Sequence, residues 1–134
     1  ILSRELAAAG IYPAVDPLRS QSRLLDPAVV GQRHWDVASA VRGALARYRE
    51  LEDVIAMLGI DELSPADRRV VTRARLLQRF LSQPFVIAEA FTGRSGVRVE
   101  LEDTLLGCER ILDGAFDGVD ESRLYMIGRL PEAA

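Results

Sequence analysis

From residue 32 onward, apolar side chains recur at intervals of three and four positions, which is the period of an amphipathic helix. The first run predicts a helix of about seven turns that begins near Gln32 and is ended by Gly59. Its apolar stripe should face the core of the domain. The residues of this stripe are Trp35, Ala38, Val41, Leu45, Tyr48, Leu51, Ile55 and Leu58.

The pattern predicts two further long helices. Ser64 is a suitable N-cap and Pro65 a suitable first helical residue, and this second helix must end before Pro84. Its predicted core residues are Val70, Val71, Ala74, Leu77, Phe80 and Leu81. A third helix should end at Gly114, and a short last helix is predicted over residues 121–126. The apolar stripe of the third helix consists of Leu101, Leu105, Cys108 and Leu112.

The first thirty residues, which we call the N-terminal arm, lack a periodic apolar face. Ser3 can cap a short helix, but Pro13 and Pro17 exclude a helix between them. Residues 18–31 are rich in turn-forming residues and are interpreted as an ordered loop. The sequence therefore predicts a mainly α fold, in which a small helical bundle follows an arm that is largely non-helical.

Composition excludes several classes of chemistry. The chain has 134 residues, of which 49% are hydrophobic and 28% charged, the composition of an ordinary globular domain. A single cysteine and a single histidine exclude a disulfide framework and a His- or Cys-rich metal site within the chain. All basic residues are arginines, so lysine-dependent phosphate binding or Schiff-base chemistry is excluded. The net charge of −3 gives no attraction for nucleic acid, and no apolar run is long enough to span a membrane.

Three aromatic residues are candidates for ligand contact. Tyr12 stands beside the rigid Pro13, and Phe85 and Phe91 flank a short apolar run. If the three rings converge, they could stack on a planar base. Sequence spacing does not show such convergence, and each ring could equally be an ordinary core residue.

An acidic segment over residues 61–67 also allows two interpretations. It could serve only as a helix cap with acids placed favourably at a helix N-terminus. It could instead form a contact surface for a basic partner. On the residues alone, function is not determined beyond a helical domain.

Several long motifs closely resemble the C-terminal third of the beta subunit of F-type ATP synthases. The resemblance extends over nearly the whole chain, and its first and fifth motifs are long enough to be highly specific. The motifs are GIYPAVDPL at residues 10–18, SRLLDP at 22–27, YRELEDVIA at 48–56, DELS at 61–64, QRFLSQPF at 78–85 and FTG at 91–93.

The resemblance implies a division of the chain and a role for the aromatic residues. Residues 1–30 would be the end of the nucleotide-binding domain, and residues 31–134 the C-terminal helical bundle domain. Tyr12, Phe85 and Phe91, with Ala88 beside them, would surround the adenine of ATP or ADP.

The resemblance also implies a role for the acidic segment, which would contact the gamma subunit of the rotating central stalk. Pro65 and Ala66 replace two glutamates that the family usually has there, so fewer acids remain for that contact. Together with the absence of lysine, this suggests a divergent or second-copy beta subunit. The residues expected to meet the stalk are Asp61, Glu62, Leu63, Ser64 and Asp67.

By the same resemblance, the whole subunit would bind ATP or ADP with Mg²⁺ and make or hydrolyse ATP, coupled to ion transport. It would alternate with alpha subunits in a hexamer, peripherally attached at the cytoplasmic face of a bacterial inner membrane. No catalytic residue and no metal ligand is assigned to this region, which we expect to be inactive alone.

Two other functions stay open at this point. One is a non-catalytic helical interaction domain built on the same scaffold. The other is a related hexameric ATPase of secretion or transcription termination, against which the motif at residues 10–18 argues.

Overall fold

The computed structural model describes residues 1–131. This part is mainly α-helical, as predicted, and contains no β-strand, only an isolated antiparallel bridge between Leu2 and Val15. Three turns of 3₁₀ helix cover Ile60–Glu62, Val86–Ala88 and Glu121–Leu124. The α-helices are α1 (Arg4–Ala8), α2 (Pro27–Val30), α3 (Gln32–Leu58), α4 (Pro65–Phe80), α5 (Glu89–Thr92) and α6 (Leu101–Leu112).

The core lies where α3, α4 and α6 pack together. Phe80 of α4 is buried against α6 at Gly107, where a Cβ atom would lie only 2.2 Å from the Phe80 ring. A side chain at this position would therefore force the two helices apart. A second, smaller cluster joins Leu51, Leu63 and Val71.

The bounds of the three long helices agree with the sequence prediction, but the predicted buried stripes need correction. Trp35 and Leu58 are 36% and 65% exposed, whereas Val37 is buried. Both exposed residues lie in terminal parts of α3, where neighbouring helices cover less of its surface. In α4, Leu76 is also buried, because α4 contacts both α3 and α6 and so buries more than one face.

Two shorter elements also differ from the prediction. The expected helix over residues 121–126 is only a 3₁₀ turn, Glu121–Leu124, after which Met126 adopts a φ of 59°. A positive φ in a non-glycine residue is incompatible with helix continuation. Within the predicted loop 18–31, Asp26 caps the one-turn helix α2, which begins at a proline.

The N-terminal arm lies on the helical bundle, held mainly by polar contacts. Arg42 of α3 donates to the carbonyl of Ser20 at 2.9 Å, and Tyr125 Oη donates to that of Gly10 at 2.7 Å. The carboxyl group of Asp16 is buried, and burial opposes its ionisation. Backbone N–H groups that donate to it and the guanidinium of Arg49 outweigh burial and lower the pKa of Asp16.

Candidate functional site

The loop that follows α4, residues 84–97, contains three of the four residues that the resemblance assigns to adenine; we call it the aromatic loop. Phe85 precedes the Val86–Ala88 turn, and its carbonyl accepts from the N–H of Ala88 at 3.0 Å. Phe91 lies one turn further along, on α5. These residues therefore share a single short segment of two consecutive turns.

Tyr12 is joined to the base of the aromatic loop. Its backbone carbonyl accepts a hydrogen bond from the N–H of Gln83 at 2.7 Å, two positions before Phe85. The peptide bond between Tyr12 and Pro13 is cis. The hydrogen bond brings the arm segment that contains Tyr12 to the same end of α4 as the two phenylalanines.

Tyr125 provides a second link between these segments. Its hydroxyl group donates to the carbonyl of Gly10, two residues before Tyr12. The guanidinium carbon of Arg94, in the aromatic loop, lies 5.6 Å from the centre of the Tyr125 ring, and that of Arg79 lies at the same distance. The sequence analysis gave Tyr125 and Arg94 no role, because contacts of this kind join residues far apart in the chain.

The exposure of the aromatic rings decides against the core interpretation. Tyr12 is 43% exposed, Phe85 41% and Phe91 91%. Neighbouring Val86 and Ile87 are also exposed, so the loop presents a cluster of apolar side chains to solvent. A contiguous exposed apolar patch is typical of an interaction or ligand-binding surface.

At the other end of α4, residues 59–64 form the acidic loop, and the structure divides its predicted contact residues into two groups. Leu63 is buried, with 7% of its surface exposed. Ser64 Oγ accepts from the N–H of Asp67 at 3.1 Å and donates to the Asp67 carboxylate at 3.0 Å. The predicted N-cap is therefore confirmed, and these three residues are engaged within the fold.

Arginines complete this end of the helix. Arg47 of α3 donates to Asp67 at 2.9 and 3.0 Å, and this hydrogen bond, with that from Ser64, lowers the pKa of Asp67. Arg68 donates to the backbone carbonyl groups of Asp61 and Leu63. The side chains of Asp61 and Glu62 are exposed, so these two acids are the members of the predicted set that a partner could reach.

A cavity of about 380 Å³ lies between the arm and helices α3 and α4. Arg49, Arg75 and Arg79 line it together with the acids Glu5, Asp16, Glu52 and Glu121. The sequence did not indicate this cavity, because its walls come from segments that are distant in the chain.

Metal and nucleophile chemistry find little support in residues 1–131. This range contains no group of three or more His, Cys, Asp or Glu side chains able to hold a metal ion. Burial raises the pKa of the Cys108 thiol to about 12, so the reactive thiolate is scarce at neutral pH. None of the helices described is both long enough and apolar enough to cross a membrane.

Comparison with known proteins supplies the family. The family described as the C-terminal domain of V and A type ATP synthase matches residues 25–111, more than half of the chain, and the chain belongs to this family. The chain is 62% identical over 133 residues to the ATP synthase subunit beta 2 of Gluconobacter oxydans (strain 621H), covering 99% of this chain. It is 61% identical over 132 residues to the ATP synthase subunit beta 2 of Nitrosomonas eutropha, covering 98%.

In both cases the chain spans 27% of the relative's length. The sequence therefore corresponds to the C-terminal region of an ATP synthase subunit beta, as the motifs indicated.

Proposed function

We propose that this member of the ATP synthase C-terminal domain family supplies the adenine-contacting surface of a nucleotide site. The observation that carries the proposal is the exposure of Tyr12, Phe85 and Phe91 in two segments joined by a backbone hydrogen bond. Exposed ring faces suit a purine base, because every base offers a π-face for stacking. Ala88, half-buried between the two phenylalanines in sequence, would lie beside the base.

The whole subunit would then interconvert ATP with ADP and phosphate, coupled to ion translocation across a membrane. Mg²⁺ and the nucleotide phosphates would be bound by parts of the subunit outside this region. Phosphoryl transfer depends on charge stabilisation around the phosphates and the metal ion. We therefore expect residues 1–134 alone to hydrolyse no ATP and to bind nucleotide in the millimolar range at best.

The partners follow from the same assignment. The subunit would alternate with alpha subunits in a hexamer attached peripherally at the cytoplasmic face of a bacterial inner membrane. Asp61 and Glu62 would contact a basic surface of the central-stalk gamma subunit, because their carboxylates are exposed and Arg68 holds the loop backbone beneath them. Leu63, Ser64 and Asp67 would support this contact by fixing the loop.

The test is titration of the full-length subunit with MgADP and MgATP after substitution of Tyr12. Tyr12→Ala should weaken both nucleotides, since stacking is worth about 1–3 kcal/mol per base. Tyr12→Phe should bind nearly as well as wild type, because it keeps the ring face. Leu24→Ala, an exposed apolar substitution elsewhere in the arm, is the matched control. Unchanged affinity in Tyr12→Ala would favour the alternative, a non-catalytic helical interaction domain.

A further inference from the structure

The aromatic loop has little regular structure and no apolar core to hold it. The N–H of Val97 donates to the carbonyl of Pro84 at 3.1 Å, which closes the neck of the loop. Inside this neck are only the three-residue turn Val86–Ala88 and the four-residue helix α5. Helical turns this short are not stable by themselves in water. Something other than helix propensity must therefore hold the loop in place.

The exposed side chains cannot supply this support, because 89% of Ile87 and 91% of Phe91 are in contact with solvent. A mobile ring would lose conformational freedom when a base stacked on it, and binding would be weakened by that cost. The position of the aromatic side chains depends instead on contacts between the two limbs of the loop.

Glu89 makes one such contact across the loop. Its Oε1 atom accepts a hydrogen bond from the backbone N–H of Gly96 at 2.7 Å, seven residues further along the chain. Glu89 directly follows Ala88 and begins α5, so this bond ties the start of that helix to the returning limb. Because the acceptor is a carboxylate, the bond is charge-assisted and short.

Gly96 makes the second contact by having no side chain. A Cβ atom built on Gly96 would lie 2.3 Å from the backbone nitrogen of Val86 and 2.4 Å from its Cα atom. These are backbone atoms, so no change of rotamer could relieve the clash. Any other residue at this position would push the returning limb away from the turn that follows Phe85.

We propose that Glu89 and Gly96 are positioning residues, which together form a clamp that holds Phe85 and Phe91 ready for the adenine base. This inference rests on the proposed function, since it assumes that the two rings contact the base. Neither residue touches the base in this proposal. The clamp acts by fixing the two turns that carry the rings before the nucleotide arrives.

The test compares ligands with and without a base, MgATP and magnesium pyrophosphate, on the full-length subunit. Glu89→Ala and Gly96→Ala should each weaken MgATP about fivefold, the factor to which 1 kcal/mol corresponds, and leave pyrophosphate binding unchanged. Glu89→Gln should restore most of the affinity, because the amide oxygen can still accept from Gly96. Gly118→Ala is the matched control, since no atom lies within 4 Å of its added Cβ.

Three results separate the clamp from the proposed function. If Tyr12→Ala and Phe91→Ala weaken MgATP but Glu89→Ala and Gly96→Ala do not, the clamp is wrong and the adenine site stands. If all four variants bind MgATP as wild type does, the adenine site itself is wrong. If the two clamp variants weaken pyrophosphate as much as MgATP, they disturb the whole nucleotide site and the positioning role is contradicted.

Discussion

The loops at the two ends of α4 treat their side chains in opposite ways. In the acidic loop, buried Leu63 belongs to the smaller core cluster, and Ser64 and Asp67 cap the helix. In the aromatic loop, Phe85 and Phe91 point large apolar surfaces at solvent. The segment whose sequence looks polar and functional is thus mostly structural. The segment whose sequence looks like core is the one that has surface available for a ligand.

The largest effect on this contrast should come from Leu63→Ala. Leu63 is buried with Leu51 and Val71, and truncating a buried leucine to alanine typically costs about 2–4 kcal/mol of the free energy of unfolding. Denaturant unfolding of the variant would measure this loss. The matched control is Leu58→Ala, since Leu58 is 65% exposed and should cost little. Equal effects of the two substitutions would show that the acidic loop is not anchored in the core.

Ser64→Ala should have the next largest effect, because it removes the acceptor for the N–H of Asp67. Loss of an N-cap typically costs about 1 kcal/mol of the free energy of unfolding. Ser64→Asp should recover most of this loss, since it restores an acceptor. Thermal unfolding of the three proteins side by side would decide the point, and an alanine variant as stable as wild type would contradict the cap.

Asp67 should make the stability depend on pH in the acid range. Its pKa is lowered in the folded chain by Arg47 and Ser64, so the ionised form favours folding. This contribution is fully present above the ordinary carboxyl pKa of 3.8 and is lost as the pH falls through the lowered value. Asp67→Asn should therefore show a flatter fall in unfolding free energy on acidification. A slope equal to that of wild type would be evidence against this ion pair.

The smallest effect on folding should come from Asp61→Asn combined with Glu62→Gln. Both side chains are exposed, and exposed charges contribute about 0–1 kcal/mol. Association with a basic partner should be slower in the double variant, and more so at low salt. Chemical unfolding and stopped-flow association with the gamma subunit would measure the two properties. A stability loss larger than that of Ser64→Ala would reverse our assignment of roles within the loop.

Local signals made the helix bounds predictable. Gly59, with a φ of 88°, ends α3, and Ser64 with Pro65 starts α4, so the sequence fixes both ends of the intervening turn. The buried faces were less predictable, because they depend on which neighbour covers each helix. Leu76 is buried although it lies outside the predicted stripe of α4, since α4 contacts both α3 and α6.

The candidate site was predictable only through its resemblance to a family. Phe85 and Phe91 have the sequence pattern of core residues, and their exposure becomes visible only when the packing is known. The contact between Glu89 and Gly96 spans seven positions in a loop without helical or strand periodicity. No sequence period connects such residues, so the clamp could not be anticipated.

The most direct test of this contrast between the two loops is a nucleotide titration of the full-length subunit. MgADP would be titrated into wild type, Phe91→Ala, and the double variant Asp61→Asn with Glu62→Gln. Our account predicts affinity weakened in Phe91→Ala by the loss of one stacking contact, about 1–3 kcal/mol, and unchanged in the double variant. Wild-type affinity in Phe91→Ala would contradict the account, because the most exposed ring of the aromatic loop would then contribute nothing to binding.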